Sequence, residues 1–368
     1  MAKPRIIVAG GGYAGLAAVR AFQHRDEVDV VLIDRSPAHQ LIPELPAAFR
    51  PGGSVDHHTV PFAALLERSG VRFRLDTLVG VQAAEKAVVL ESGRRLAFDW
   101  LVVSVGSVTK WPPIHGLRER AFPFRTAADA ARLHRRLDGA RHLRIVVLGG
   151  GLTGVEMAGE LAHEHHVQLV ERAPRILPEV GPGLSRYAAR VLTQNGVRLS
   201  PATKVTAVES DRLLVEGAEA IPFDVLVWTG GIAAPPIQWA GVELDAQGYP
   251  VADGWGQVAP SVFVAGDVYV VHHDGAVVPQ TAQVATEAGG FVARTVLARI
   301  SGQDPGPPFK PRFKGLLVSL DPTRGVGWVV KEGIAVKGYS ARALKGLVFS
   351  QYRFRLASAF GVPSKKDP

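Results

Sequence analysis

The amino-acid sequence predicts an α/β fold: two Rossmann-like dinucleotide-binding domains and a small C-terminal region ending in an amphipathic helix. Three observations predict it. The glycine-rich stretch "GGGYAGLAAVRAF" at 10–22 returns in outline as "GGGLTGVEMAGEL" at 149–161. Each copy follows a β-branched apolar run, "RIIVA" or "RIVVL", and leads into helically spaced residues, so each reads as strand, tight turn and helix. Up to residue 306, short strands alternate with helices, the pattern of parallel sheets.

The residue types of the turn follow from its physics. Gly10 and Gly149 permit a backbone turn that a β-carbon would obstruct, Gly12 and Gly151 let a pyrophosphate approach the main chain, and Gly15 and Gly154 let the helix lie close to its strand. The helix N-terminus then offers unpaired N–H groups to the phosphates. A carboxylate is expected at the end of the following strand, about 20 residues on, to accept hydrogen bonds from a ribose. "VDVVLIDR" supplies Asp34 and "HVQLVER" supplies Glu171. One such turn could simply pack a helix on a strand; two complete units point to two bound dinucleotides. Glu171 favours the free 2′-hydroxyl of NADH over NADPH, and Arg172 beside it, able to receive a phosphate, weakens that preference.

The remaining blocks follow in order. Residues 1–112 add a β-rich extension around "ESGRR" and an apolar strand, "WLVVSVG", whose Gly106 lets chain and ligand come close. After the hinge "TKWPPIHG", residues 113–236 repeat the plan and end in "FDVLVWTGG", an echo of "FDWLVVSVG" that brings Gly230 to the matching place. Residues 237–306 hold "SVFVAGDVYVV", an apolar strand running to Gly-Asp at Asp267, and the helix-like "PQTAQVATEAGGFVARTVLARI". The tail, 307–368, opens with "GPPFKPRFKG". It ends in "SARALKGLVFSQYRFRLASAFG", where Leu344, Val348, Tyr352, Leu356 and Phe360 recur every four residues and Arg342, Lys345, Arg353 and Arg355 stand elsewhere around the helix. That segment reads as a basic amphipathic helix, either lying on anionic lipid or packing its stripe on the protein.

Composition narrows the chemistry. Length suggests two or three domains, and 47% hydrophobic with 21% charged residues is the balance of an ordinary globular protein. With no cysteine, a redox-active disulfide, a thiol charge-transfer partner and a cysteine-ligated cluster are all excluded. No apolar run is long enough for a membrane span, and "MAKP" leads straight into a strand, so a cytoplasmic protein without a signal peptide is expected. The net charge of +8 suits an anionic partner or a solvated basic surface. Nucleic acid has no recognisable module behind it, and no metal site is expected. "HEHH" at 163–166 reads as a solvated helix end, and the pairs His57–His58 and His272–His273 read likewise.

These motifs together resemble the two-dinucleotide flavoprotein superfamily and, within it, the type II NADH dehydrogenases, single-subunit NADH:quinone oxidoreductases that do not pump protons. The resemblance runs from about residue 4 to residue 360 and rests on "IIVAGGGYAGLAAVRAF", "HQLIPELPAAF", "FDWLVVSVGS", "VVLGGGLTGVEMAGEL" with "LVERAPRILP", "FDVLVWTGG", "VFVAGD" and "PQTAQVATEAG". It implies a discontinuous FAD domain, 1–112 with 237–306, and an NADH domain at 113–236. Gly10, Gly12, Gly15 and Asp34 would hold FAD with Asp267 on the ribityl chain; Gly149, Gly151, Gly154 and Glu171 would hold NADH. Glu156 resembles a family glutamate near the nicotinamide and flavin rings that shapes the quinone site; alone it would also fit a first-turn glutamate favoured by the helix dipole. The family's Ala-Gln-x-Ala-x-Gln quinone motif stands here as Ala282, Gln283, Val284, Ala285, Thr286, Glu287. Its last residue is Glu, which cannot donate to a quinone carbonyl unless protonated. The tail is also shorter and more polar than the family's paired anchoring helices.

Glu156, Gln283 and Glu287 are therefore the expected catalytic residues, in positioning and proton-supply roles, since hydride transfer to a flavin needs no nucleophile. Expected partners are NADH and a quinone, with an anionic membrane surface and a second copy of the chain as further candidates. The expected location is cytoplasmic, peripheral on the inner face of the cell membrane. Two other readings stand beside this one: a soluble NADH-dependent reductase of a ferredoxin-like or rubredoxin-like protein, and an NADH-sensing flavoprotein resembling apoptosis-inducing factor.

Overall fold

A computed structural model describes residues 3–273, 275–330 and 333–361. The first repeat folds as strand β1 (Arg5–Ala9), helix α1 (Tyr13–Phe22) and strand β2 (Asp29–Asp34). Both strands are β-branched and almost wholly buried, as strands covered on both faces must be. They pair in parallel, Ile7 against Val31, at the centre of a six-stranded sheet. Beside β1 lie Trp100–Val103, Val262–Val264 and Gln257–Ala259, and beyond β2 lies Arg72–Leu75. One sheet thus draws strands from both 5–103 and 257–264.

The second repeat gives β3 (Arg144–Leu148), α2 (Leu152–Leu161) and β4 (His166–Val170), with Val147 opposite Leu169. Its five-stranded sheet runs Phe122–Pro123, Val225–Trp228, β3, β4, Arg198–Ser200. Each unit carries an antiparallel β-extension, and Val108–Thr109 pairs with Ile232–Ala233 where the chain passes between the two units.

Helix α3 (Ala282–Ile300) starts on the hydroxyl of Thr281, which accepts the Val284 N–H at 3.3 Å, and crosses α1 closely. Gly289 makes that crossing possible, because a β-carbon there would run into the carbonyl of Ala14. The C-terminal region holds a feature that its sequence reading lacked. Before the last helix come β5 (Gly315–Ser319), β6 (Gly325–Val329) and β7 (Ile334–Lys337), an antiparallel sheet packed on α2 and on helix α4 (Gly338–Phe360).

Helix α4 corrects the expected basic amphipathic stripe. Side chains four apart drift about 40° around a helix at each step, so Leu344, Val348, Tyr352, Leu356 and Phe360 sweep across it and do not form one line. The inward face is instead Ala341, Lys345, Tyr352, Leu356 and Phe360, of which all but half-buried Tyr352 are buried. Leu356 and Phe360 join the core beneath α1 and α3. Of the four basic residues, Lys345 is buried, Arg342 half-buried and Arg353 engaged with Glu44; Arg355 alone of the four is exposed. The outward side also carries large apolar residues, with Tyr339, Leu347 and Phe354 exposed by 76%, 65% and 66% among polar neighbours such as Ser350, Gln351 and Arg355.

Candidate functional site

The two glycine turns match atom by atom. Gly10 (φ +101°) and Gly149 (φ +117°) take backbone conformations open to glycine, and a β-carbon on Gly15 or Gly154 would run into the carbonyl of Gly10 or Gly149. A hydroxyl braces each turn from the neighbouring strand end. Ser104 donates to the carbonyl oxygen of Ala9 at 3.1 Å or Gly10 at 2.9 Å, and Thr229 to that of Leu148 at 3.2 Å or Gly149 at 3.0 Å. The acids are clamped alike. Asp34 accepts the N–H groups of Gly11 at 2.6 Å and Ser36 at 2.7 Å, while Glu171 accepts those of Gly150 at 2.5 Å and Ala173 at 2.6 Å. Their remaining lone pairs are left to accept further hydrogen bonds. Burial raises the pKa of Asp34, and its two backbone donors oppose that rise.

The middle of each turn is an open cradle. A β-carbon on Gly12 would meet no protein atom within 4 Å, and one on Gly151 would meet first Glu179 Oε1 at 3.4 Å. Both cradles lie at the start of a helix, where unpaired N–H groups favour a phosphate. The residues present therefore fit two dinucleotides.

A single cleft of about 1030 Å³ joins the two turns. Gly106, Glu156, Gly230, Asp267 and Gln283 line it together with Gly10, Gly12, Asp34, Gly149, Gly151 and Glu171. Gly15 and Gly154 stand behind the turns as packing glycines. Asp267 is paired with Arg125 at 3.0 Å, and Arg125 also donates to the Ser107 hydroxyl, a cation that no sequence motif had marked.

Glu287 does not line the cleft. Its Oε2 accepts the N–H of Arg312 at 3.1 Å and its Oε1 lies 3.6 Å from Lys314 Nζ, so it fastens the 309–314 linker to α3. A carboxylate suits this place because it neutralises Lys314 as well as accepting an N–H, which accounts for Glu where the motif expects Gln. Gln283 serves both purposes: it lines the cleft and donates to the carbonyl of Arg312 at 2.5 Å.

Glu156 is buried on α2 and forms an ion pair with Lys345 of α4, while also accepting the N–H of Ser319 at 2.8 Å. Both members face the cleft. Beside them Leu316, Leu317, Val329, Leu344, Val348 and Phe349 form an apolar wall, with Lys345 Nζ 5.3 Å from the centre of the Phe349 ring. One turn along α2, buried Glu160 is held by Arg50 at 2.5 Å. The sequence sets Lys345 among the basic residues elsewhere around the helix, away from the apolar stripe. Its helical phase with Ala341, Leu356 and Phe360 was the signal that places it inward.

Helix α4 is seated directly on the first glycine turn. Fully buried His39 donates from Nδ1 to the carbonyl of Gly11 at 3.0 Å, which leaves Nε2 to accept from the Tyr352 hydroxyl at 3.0 Å. Arg353 donates to Glu44 at 2.7 Å, and His58 lies 3.9 Å from the same carboxylate. His58 is thus a buried partner of Glu44 and not the solvated residue expected. At 163–166, His163 to His165 do follow a helix end, but His165 carries a buried Nδ1 and His166 opens β4 with its ring 5.7 Å from that of His142. Among the described residues no cluster of three or more His, Cys, Asp or Glu is arranged to hold a metal ion.

His39 makes the seat sensitive to acid. Burial lowers its pKa to about 4 from 6.5, so the folded state keeps it neutral while the unfolded chain takes up a proton below about pH 6.5. Its contribution is fully present above that pH and is lost as pH falls towards 4, by about 3 kcal/mol in all. Urea unfolding of a His39→Gln variant is expected to show a flatter stability profile between pH 6.5 and 4. Profiles of equal slope would remove His39 from the acid transition.

Comparison with known proteins extends these observations. The chain is 29% identical to a demethylphylloquinone reductase, NdbB, of Synechocystis sp., over 96% of this chain and 93% of that one. It is 26% identical to a type II NADH:quinone oxidoreductase of Staphylococcus saprophyticus, over 99% and 98%. In fold it matches NDH2 of Plasmodium falciparum, solved in complex with NADH, at a TM-score of 0.85 and 16% identity over 99% of this chain and 100% of that one. The sequence pattern of the pyridine nucleotide-disulphide oxidoreductases matches residues 4–289, and the chain, though it has no cysteine to form the disulphide, belongs to that family.

Proposed function

We propose that this protein is an FAD-dependent oxidoreductase that oxidises NADH and reduces a quinone, the overall change being NADH + H⁺ + quinone → NAD⁺ + quinol. Residues 1–112 with 237–306 would hold FAD, and 113–236 would hold NADH. The observation that carries this reading is the shape of the cleft: two dinucleotide cradles open into one space whose third wall is apolar and bears a buried Glu156–Lys345 pair. Such a wall suits a flat ring, and the charged pair suits its carbonyl oxygen. The Synechocystis demethylphylloquinone reductase and the Staphylococcus NADH:quinone oxidoreductase support the same acceptor class.

Bound FAD supplies the two-electron chemistry between donor and acceptor. The chain's own residues bind and orient. Asp34 and the Gly12 cradle take the ribose and pyrophosphate of one dinucleotide, and Glu171 and the Gly151 cradle those of the other. Lys345 would present a proton on Nζ at the cleft wall, and Glu156, paired with it there, would fix its position. Gln283, held through its amide nitrogen, keeps its carbonyl oxygen as an acceptor.

The site of action is proposed to be an anionic membrane surface at the inner face of the cell membrane. Among the described residues no helix is long and apolar enough to cross a bilayer, so contact would be peripheral. The outward stripe of Tyr339, Leu347 and Phe354 would enter the interface.

Steady-state NADH oxidation by the purified yellow protein, with and without a short-chain quinone, tests the activity, and strong quinone acceleration is expected. Flavin bleached by NADH with no acceleration by quinone would overturn the acceptor. In cosedimentation with anionic vesicles, the Leu347→Glu/Phe354→Glu variant should stay in the supernatant; pelleting equal to that of the unmodified protein would clear the stripe of this role.

A further inference from the structure

We propose that Glu179 is a second specificity-determining residue of the nicotinamide-nucleotide site, a carboxylate that acts with Glu171 to reject the 2′-phosphate of NADPH. This rests on the reading that the second glycine turn binds a nicotinamide dinucleotide.

The loop that carries Glu179 is tied onto the turn. Leu177, at φ +48°, donates its N–H to the carbonyl of Gly150 at 2.7 Å. Arg175 donates to the carbonyl oxygens of Leu177 at 3.2 Å, Pro178 at 3.0 Å and Val180 at 2.6 Å, so its guanidinium organises the loop around itself. Ser185 of the next helix fastens the carbonyl of Ile176 at 2.7 Å. So held, Glu179 faces the open centre of the turn, its Oε1 3.4 Å from where a β-carbon of Gly151 would stand. Glu171 Oε2 lies 3.2 Å from the corresponding point of Gly150, the residue before. Two carboxylates therefore flank two successive residues of one turn.

Their chemistry selects hydroxyls over phosphate. Three charged side chains that line the cleft, Glu171, Arg172 and Glu179, stand on the strand end and loop that follow the turn, two acids to one base. A ribose with both hydroxyls free offers hydrogen-bond donors, which carboxylates accept, whereas a 2′-phosphate offers acceptors and close to two negative charges. The pyrophosphate common to both nucleotides has the helix N-terminus to compensate it, whereas beside Glu171 a 2′-phosphate would meet Arg172, Arg175 being engaged with the carbonyls of its own loop. Burial raises the pKa of Glu179 and the charge of Glu171 adds to the rise, while its own backbone N–H and the charge of Arg175 oppose it. Glu179 thus supplies a repulsive element against the wrong nucleotide, which Arg172 by itself would admit.

Anaerobic reduction of the bound flavin, measured in stopped flow without any acceptor, tests this independently of the quinone. In Glu179→Gln the second-order rate constant for NADPH is expected to rise, and with it the ratio of NADPH over NADH by at least about tenfold, the scale of one charge–charge contact in a surface cleft. Glu179→Ser, which also removes the charge, should show the same rise. Calorimetric titration with 2′,5′-ADP and with 5′-ADP gives a flavin-independent readout, and the variants should gain affinity for 2′,5′-ADP relative to 5′-ADP. An unchanged ratio in both variants, or a loss of NADH reactivity with no gain for NADPH, would overturn the proposal. If NADH fails to bleach the flavin of the unmodified protein, the nucleotide-site reading falls, and the proposal with it.

Discussion

Replacing Lys345 by Met is expected to lower stability by about 3 kcal/mol or more and to abolish most quinone-dependent turnover, while NADH still bleaches the flavin. The stability loss follows from burial. Lys345 and Glu156 are each only 9% exposed in their side chains, and removing the ammonium leaves a carboxylate inside the protein with its cation gone. The backbone N–H of Ser319 still reaches Glu156, which tempers the loss without cancelling it. Adding Glu156→Gln to Lys345→Met removes the orphaned charge, so the double variant should recover part of the stability and none of the quinone activity. Urea unfolding at pH 7 gives the first quantity, and separate rapid-mixing measurements of the NADH and quinone half-reactions give the second. A loss shared equally by both half-reactions would mean that Lys345 acts on the fold of the whole cleft and not on the acceptor side.

Substituting the central glycine of each turn should divide the protein's properties between its two halves. A β-carbon at Gly12 would meet no neighbouring protein atom within 4 Å, and at Gly151 it would meet only the flexible end of Glu179, so valine is expected to be tolerated by the fold at either place at a cost of about 1 kcal/mol. Each valine nevertheless fills a cradle where a pyrophosphate approaches. Gly12→Val is expected to purify folded and colourless. Gly151→Val is expected to purify yellow, with reduction of its flavin by NADH slowed by about 100-fold or more. Absorbance near the flavin band, circular dichroism and stopped-flow reduction separate these outcomes. A yellow Gly12→Val protein, or normal NADH reduction in Gly151→Val, would assign the turns otherwise.

Both arms of that experiment could be designed from the sequence, because the features involved are local. A glycine at φ +101° or +117°, a helix starting three residues later and an acid closing the next strand all lie within one strand–turn–helix–strand unit. The chain spells each unit contiguously, at 5–34 and again at 144–171. Parallel pairing and the buried, β-branched strands followed from the same short-range patterns. Family motifs read along the chain also marked Gly106, Asp267, Gln283 and Glu156, all of which line the cleft.

What the sequence left open involves partners far apart in the chain. Glu287 stands in a quinone motif but meets Arg312 and Lys314, and nothing in the six-residue pattern shows that the linker folds back over it. Lys345 meets Glu156 across 189 positions, and Tyr352 meets His39 across 313. A helix drawn with a constant four-residue step grouped Leu344 and Val348 with Tyr352, Leu356 and Phe360, of which only the last three share the inward face, since that face depends on which surface the helix is laid against. The unforeseen three-stranded sheet of β5, β6 and β7 provides much of that surface. By itself, then, the sequence determined two nucleotide cradles and their acids, because backbone conformation and hydrogen bonding within about thirty residues suffice to build them. Only the tertiary structure decided which charges are buried, which way the last helix faces and what forms the third wall of the cleft, because those depend on packing between segments that the chain brings together from its two ends.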